Sequence, residues 1–552
     1  ETRNEPSRSK VNYIHIHRTR VVPPQRLFTD PVVGQEPNFM TGQDVTNLAP
    51  VRNSLPLTLP KSTGGSLLAS KRLWPALSFL WLFLISALNA LRVSPKELNA
   101  DIVLNSVMAL QNLTPFYWGQ NRLLNVLPLL VSPIRNPSLN LVAVLLITSL
   151  SFFGLLYTFA HIAVRAVHGK NAYIVFCVFV IASGSTVIVL TAEGMANITI
   201  GHIEYSMPVL IATLTFWLLL QQLHSKPLWV RTAVVVPLSF VAVGMNPTVA
   251  FPIVYASLIL TAYRRHLDQA ALLMGASSVA AYVLWREVVR RISPTPYEDF
   301  SLVQIPGGVR QATTELIGIT NLATLFLLIS LILLMAGAQV LQRNRGSGVR
   351  WSLAVLLGTT STAFSLIWIL IVSGNEWIMI NEFSARYFTF SIFGFLFATI
   401  VLIAALLVTL APKVTLAMAA TVGALLVFVD RTPFVGFDDY AIFEEVGALT
   451  QPGSHLYAGD YWLVWPSVFR DMRAGEEAFG FGFRAQGNQT GTTRYTMEMV
   501  EKDGFASVYC LRETTTECVS QISTLLGSIE VLGVRQLEQG ATRIDFRTPS
   551  AG

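Results

Sequence analysis

The sequence predicts a polytopic α-helical membrane protein carrying a small α/β domain at its carboxyl end. Three observations lead there. The 552 residues are 52% hydrophobic and only 13% charged, with a mean hydropathy of +0.52, which is outside the range of soluble globular domains. Apolar runs of about 18 residues or more, each enough for a hydrocarbon core of roughly 30 Å, recur along most of the chain and stop near Asp430. Beyond Asp430 the composition turns polar and mixed.

Residues 1–72 are rich in Pro, Asn, Arg and Ser, show no sustained apolar period and end in Lys71-Arg72. They read as a mostly disordered cytoplasmic leader, either a plain tail or a docking segment for a protein partner. The first apolar run begins near residue 73, after this polar stretch, so a signal peptide is not expected. Spans are then expected at 73–93, 138–164, 171–192, 207–224, 232–244, 248–263, 269–285, 317–341, 351–374, 388–410 and 413–430, about eleven in all within a membrane domain over 73–430.

The formal charge of +6 and pI near 9.2 do not point to nucleic acid, because the basic side chains gather in short loops between apolar runs. With the amino terminus inside, the loops 165–170, 226–231, 264–265 and 343–350, together with Lys413, fall on the cytoplasmic side. One joint decides this topology. Arg231 and Arg264 bracket a stretch long for one span and short for two, with Gly244–Thr248 (GMNPT) in its middle. Pro247 lacks an amide donor and biases Asn246 away from helix, so two short helices meeting at a turn are expected; a single kinked span would reverse every later loop.

Residues 431–552 are expected to form one extracytoplasmic α/β domain, with a strand then a helix at 454–469 and strands at SVYCL, SIEVLGV and TRIDFR. On that side Cys510 and Cys518 could close a short loop by a disulfide. Three cysteines are too few for a metal cage, and Cys177 reads as ordinary core. The whole describes a multi-pass protein of the plasma (inner) membrane. No internal repeat and largely apolar span centres set it apart from a transporter.

Polar groups collect in the outer loops 94–137, 193–206, 286–316 and 375–387. Glu97 and Asp101 are spaced to share one face of a short interfacial helix, with Val103, Val107 and Leu110 on the other. Next comes FYWGQNR, where Tyr117 and Trp118 offer flat rings beside Gln120, Asn121 and Arg122, the composition of a sugar-binding wall. The two rings serve equally as interfacial anchors. The second loop adds Glu193, His202 and Glu204, ionisable groups at a membrane boundary. In NEWIMINEFSARYF, Arg386 and Tyr387 precede a span; Arg386 suits a phosphate, or a pair with Glu382. Metal-ligand spacings, a Walker loop, GxGxxG in a βαβ setting and a nucleophile elbow are absent from the sequence.

The layout resembles the GT-C superfamily of integral-membrane glycosyltransferases. The resemblance rests on AD…TPFYWGQNRLLNVLPLLVSPI in the first outer loop, the NP turn of GMNPTVAFPI, and GDYWLVWPSVF…FGFR from Gly459 to Arg484. It implies a GT-C-like fold and inverting transfer of a sugar from a lipid-linked polyprenyl-phosphate donor to a glycan, lipid or protein acceptor at the outer face. By that resemblance Asp101 is the general base, with Glu97 as the alternative, since many members carry adjacent acids there. Arg386, or second Arg310, steadies the leaving phosphate, and Glu193, His202 and Glu204 orient the acceptor or assist the base. No cofactor beyond the lipid donor is implied; a divalent metal is compatible with such chemistry but unsupported by spacing. A non-catalytic subunit that scaffolds an envelope assembly through its leader and outer domain is the competing expectation.

Overall fold

The computed structural model describes residues 72–117, 120–167, 169, 171–201, 203–221, 226–264, 269–292, 300–319, 351–380, 383–428, 436–449, 456–483, 491–503, 507–537 and 541–547. All of them belong to one compact unit. The helices of its first part are α1 (Leu73–Glu97), α2 (Ala100–Leu110), α3 (Val126–Val131), α4 (Pro137–Val167), α5 (Ala172–Val189), α6 (Ala192–Met195), α7 (Ile203–Gln221), α8 (Leu228–Met245), α9 (Ala250–Arg264), α10 (Gln269–Ile292) and α11 (Ile305–Gly318). A two-strand hairpin, β1 (Phe116–Tyr117) with β2 (Gln120–Leu124), lies between α2 and α3. After residue 350 come α12 (Trp351–Ser373), α13 (Glu376–Ile380), α14 (Thr389–Thr409), α15 (Pro412–Phe428) and α16 (Ala441–Leu449).

Six described helices are long and apolar enough to cross a membrane, or seven if the pair 193–200 and 204–219, bent by 53°, is one span. The expectation of about eleven is not reached among the described residues. The apolar helices at 172–188, 247–259 and 412–427 are shorter, and the span expected at 317–341 lies almost wholly outside the described residues. The turn expected at GMNPT is present: Asn246 leaves helical geometry, its side chain accepts from the Thr248 amide, and a short 3-10 turn leads into α9. Both α8 and α9 then pack on α10, through Phe240 with Trp285 and Phe251 with Tyr282. The loop expected over 286–316 begins inside α10, which runs on to Ile292 and holds Arg290 and Arg291 in pairs with Glu287.

Apolar side chains alone do not choose partners in a bundle whose surroundings are equally apolar, so small and polar residues decide the packing. Asn89 in α1, 3% exposed, donates to Ser149 of α4 at 3.1 Å and to Thr199 of the π-turn after α6 at 2.9 Å. Between α12 and α14, Ser365 Oγ donates to the Ser391 carbonyl at 2.7 Å and Ser391 Oγ returns to the Ser365 carbonyl at 3.0 Å. Gly394 allows that approach: a Cβ there would stand 2.3 Å from Ser365 Oγ and 2.9 Å from the Ser361 carbonyl oxygen. Outward, α1 and α12 expose Phe79, Leu80, Phe83, Leu366, Ile367 and Leu370, as lipid-facing sides must.

The carboxyl-terminal part is a five-stranded sheet of order β4-β3-β5-β7-β6. Its elements are β3 (Leu456–Asp460), α17 (Tyr461–Ala474), β4 (Phe479–Phe483), α18 (Gly491–Asp503), β5 (Ser507–Leu511), α19 (Thr515–Leu526), β6 (Glu530–Gln536) and β7 (Ala541–Arg547). Strands β3, β4 and β5 are parallel, and β7 and β6 close one side antiparallel. The three strands expected from SVYCL, SIEVLGV and TRIDFR are there; FGFGF adds one that alternating glycine concealed. Gly480 and Gly482 have no side chain because Val464, Trp465 and Tyr461 of α17 occupy that space. Cys510 and Cys518, both buried, are joined by a disulfide with their Cα atoms 6.3 Å apart.

Gly394→Val should destabilise the detergent-solubilised chain by about 1–3 kcal/mol through overpacking, read as a lower unfolding midpoint. An unchanged midpoint would show that α12 and α14 do not pack this closely.

Candidate active site

Asp101 stands in the first turn of α2. The chain breaks ahead of it: Leu98 is extended, and the Asn99 side chain caps α2 by accepting from the Ile102 amide at 3.1 Å. Glu97 therefore closes α1 while Asp101 opens α2, and the expectation of both carboxylates on one face of one helix is corrected. The competing force is the Asn99 cap, which restarts the helix between them. Nor is α2 an interfacial helix with a wet side. Ile102, Val103, Leu104, Val107 and Met108 are all buried, because α17 covers the side that the spacing assigned to solvent.

The two helices run side by side in the same direction. At one end the Tyr461 hydroxyl donates to Asp101 Oδ1 at 2.6 Å; at the other, Gln111 Nε2 donates to the Ala478 carbonyl at 2.6 Å and touches Met472 Sδ. Asp101 thus lies where two helices begin, and the partial positive charge of both amino ends suits an anion there.

The cation comes from a third place. Residues Ala385–Phe388 form a 3-10 turn that enters α14. It is fixed by Trp368 Nε1 donating to the Tyr387 carbonyl at 3.0 Å and Thr389 Oγ1 donating to the Arg386 carbonyl at 2.7 Å. Beside it, Gly308 of α11 lies so close to the Ser373 carbonyl that a Cβ would stand 2.2 Å away. Arg386 Nη1 is 3.8 Å from Asp101 Oδ2, with the side chains 22% and 14% exposed. Arg386 Nη2 donates to the Tyr387 hydroxyl at 3.0 Å, and the guanidinium lies 4.9 Å from that ring's centre, a cation–π arrangement. Arg386 Nε is buried with no partner among the described residues. Tyr205, whose ring meets Phe390 at 5.5 Å, is near enough to act on the arginine's charge. A carboxylate, a guanidinium with spare donors and phenols can accept a proton and hold an anion.

The other expected site residues are distributed as follows. Glu97 and the exposed Glu193 feel one another's charge where α1 meets α6. Glu204 is half-buried in the first turn of α7. Arg310 is exposed on α11, which touches the turn that carries Arg386. Tyr117, Gln120, Asn121 and Arg122 have their backbone in the hairpin, which rests on α8 and α10 through Phe116 against Trp285 and Leu124 against Gly244; their side chains, like Trp118, His202 and Glu382, lie outside the described residues. Among the described residues no group of three or more His, Cys, Asp and Glu could hold a metal ion.

Two tyrosines at the site were not singled out from the sequence. Tyr461 stands 360 positions from Asp101, and only the GDYW stretch marked its neighbourhood. Tyr205 lay inside the second acidic loop, overshadowed by Glu204.

No protein-family model and no curated protein matches the chain.

A double-mutant cycle between Asp101→Asn and Tyr461→Phe should give a coupling of about 1.5–3 kcal/mol in the stability of the full chain, the range for a hydrogen bond to a charged group. Additive effects would show that Tyr461 does not hold the carboxylate.

Proposed function

We propose that this chain is an inverting glycosyltransferase of GT-C type, moving a sugar from a polyprenyl-phosphate-linked donor to a glycan, lipid or protein acceptor at the outer face of the plasma (inner) membrane. The observation that carries the proposal is the placement of Asp101 beside Arg386, 3.8 Å apart, where an apolar bundle meets the sheet. Inverting transfer needs a base on the acceptor hydroxyl and a cation on the departing phosphate, and the donor's tail needs apolar helices alongside.

The steps follow from charge. The donor phosphate, arriving at Arg386, draws the guanidinium away from Asp101 Oδ2, while Tyr461 stays on Oδ1. Asp101 accepts the proton of the acceptor hydroxyl as its oxygen attacks the anomeric carbon from the face opposite the phosphate. The bond from that carbon to the phosphate oxygen breaks, and the electron pair leaves with the lipid phosphate, whose charge Arg386 steadies. Tyr387 and Tyr205 hold the arginine; Tyr461 orients the base. Glu97 is the second candidate for the base, and Glu204 assists. Glu193 and His202 orient the acceptor, the hairpin residues Tyr117, Trp118, Gln120, Asn121 and Arg122 form the sugar-facing wall, and Arg310 is the second cation. In this reading the chain crosses about eleven times, with its leader inside and its sheet outside.

The same bonds favour a second reading. Asp101, Tyr461 and Arg386 also pin the sheet to the bundle, as a non-catalytic scaffold subunit would require.

The full chain in proteoliposomes, supplied with a panel of polyprenyl-phosphate sugars, separates the two. Asp101→Asn should lower transfer by about 10³-fold or more, and Arg386→Lys, which keeps the charge and loses the fork, by about 10²-fold. Undiminished transfer by Asp101→Asn removes this residue as the base, and no transfer by the native chain favours the scaffold.

A further inference from the structure

The sheet has a feature that the transfer site does not use. From β3 the chain passes through α17 to β4 on one side, and β5 lies on the other side of β3. The strand order therefore reverses between β3 and β5, and ligands of open α/β sheets sit outside the carboxyl ends of the strands at such a point. Here those ends are Gly459-Asp460 and Leu511-Arg512. They approach closely: a Cβ on Gly459 would stand 2.4 Å from the Leu511 carbonyl oxygen.

The side chains around this crevice are unlike an anion site. Arg512 is bonded to Glu445 and lies 3.7 Å from Asp460, so its charge is already engaged. Asp460 accepts from the Trp462 amide at 2.9 Å. Burial, with the charges of Glu517 and Asp460, pushes the Glu513 carboxyl above its usual range. Among the described residues here the acids Asp460, Glu513 and Glu517 outnumber Arg512, which disfavours a phosphate and suits a neutral or amino-bearing ligand rich in donors.

Two indoles of α17 follow Asp460 in the chain. Trp462 is 47% exposed, against a general rule that a ring this size is largely covered. One turn on, Trp465 is 2% exposed, and its Nε1 has no partner among the described residues; it lies against Gly482 at the carboxyl end of β4. Trp462 meets Tyr461 ring to ring at 5.4 Å, and Tyr461 bonds Asp101. An exposed aromatic face beside fixed carboxylates is what a pyranose or furanose needs, since its C–H face stacks and its hydroxyls bond.

We propose that this crevice, with Trp462 as its platform and Asp460 as its hydroxyl acceptor, binds a saccharide chain whose growing end reaches Asp101 past Tyr461. The site rests on the transferase reading for its purpose and on the sheet for its existence. It makes the sheet the element that selects the acceptor, one aromatic ring away from the base.

The test titrates the full chain in lipid nanodiscs with soluble hexasaccharides of glucose, mannose, galactose, arabinose and N-acetylglucosamine, followed by saturation-transfer NMR and calorimetry. At least one should bind, with affinity falling tenfold or more in Trp462→Ala and in Asp460→Asn, and inorganic phosphate should not compete. Trp462 is exposed, so its replacement leaves the fold in place. No binding by any hexasaccharide, equal binding by both variants, or displacement by phosphate would overturn the proposal. The transferase reading fails separately: binding without transfer by the native chain counts against transfer alone. Transfer by Trp462→Ala with an unchanged acceptor KM counts against the crevice alone.

Discussion

One partly buried carboxylate holds this structure to a narrow set of arrangements. Asp101 is reached by Tyr461 from the sheet layer and by Arg386 from the turn before α14. Taking a charge out of water is costly unless it is paired and hydrogen-bonded, so these three segments cannot shift independently. The ion pair at 3.8 Å is long, whereas the phenol bond at 2.6 Å is short. The arginine is thus the partner held less tightly, and the one free to turn toward another anion.

What keeps the arginine in reach is close backbone approach rather than apolar area. Gly394 and the reciprocal serines bring α14 onto α12, and Gly308 brings α11 onto the end of α12. The sheet layer repeats the device. Gly480 and Gly482 lower β4 onto the rings of α17, and α17 in turn lies along α2. Small residues therefore set the distances, and polar groups set the register.

Much of this was legible in residue order. Long apolar runs gave α1, α4, α12 and α14 within a few residues, and the Asn246-Pro247 pair gave the turn before α9, because local chemistry alone forces each. Asp101 and Arg386 stood out as ionisable groups beside apolar runs. The errors have equally definite causes. Spacing placed Glu97 and Asp101 on one helix, but the Asn99 side chain ends one helix and starts the next. The strand FGFGF carries no alternation that glycine does not hide, and the hairpin at Phe116 is too short to show a period.

By itself, then, the sequence determined that the chain carries membrane-length apolar helices followed by a small sheet, the places of its longest helices and of four of its strands, and which few carboxylates and arginines are out of place beside apolar runs. These follow from hydropathy, capping and proline chemistry, which act within a few residues. Only the tertiary structure decided that Asp101 meets Arg386 and Tyr461, and that α2 is enclosed. Those contacts join positions hundreds of residues apart, and they are selected by glycine-permitted approach and by the cost of leaving a charge unpaired. Neither leaves a local period in the chain.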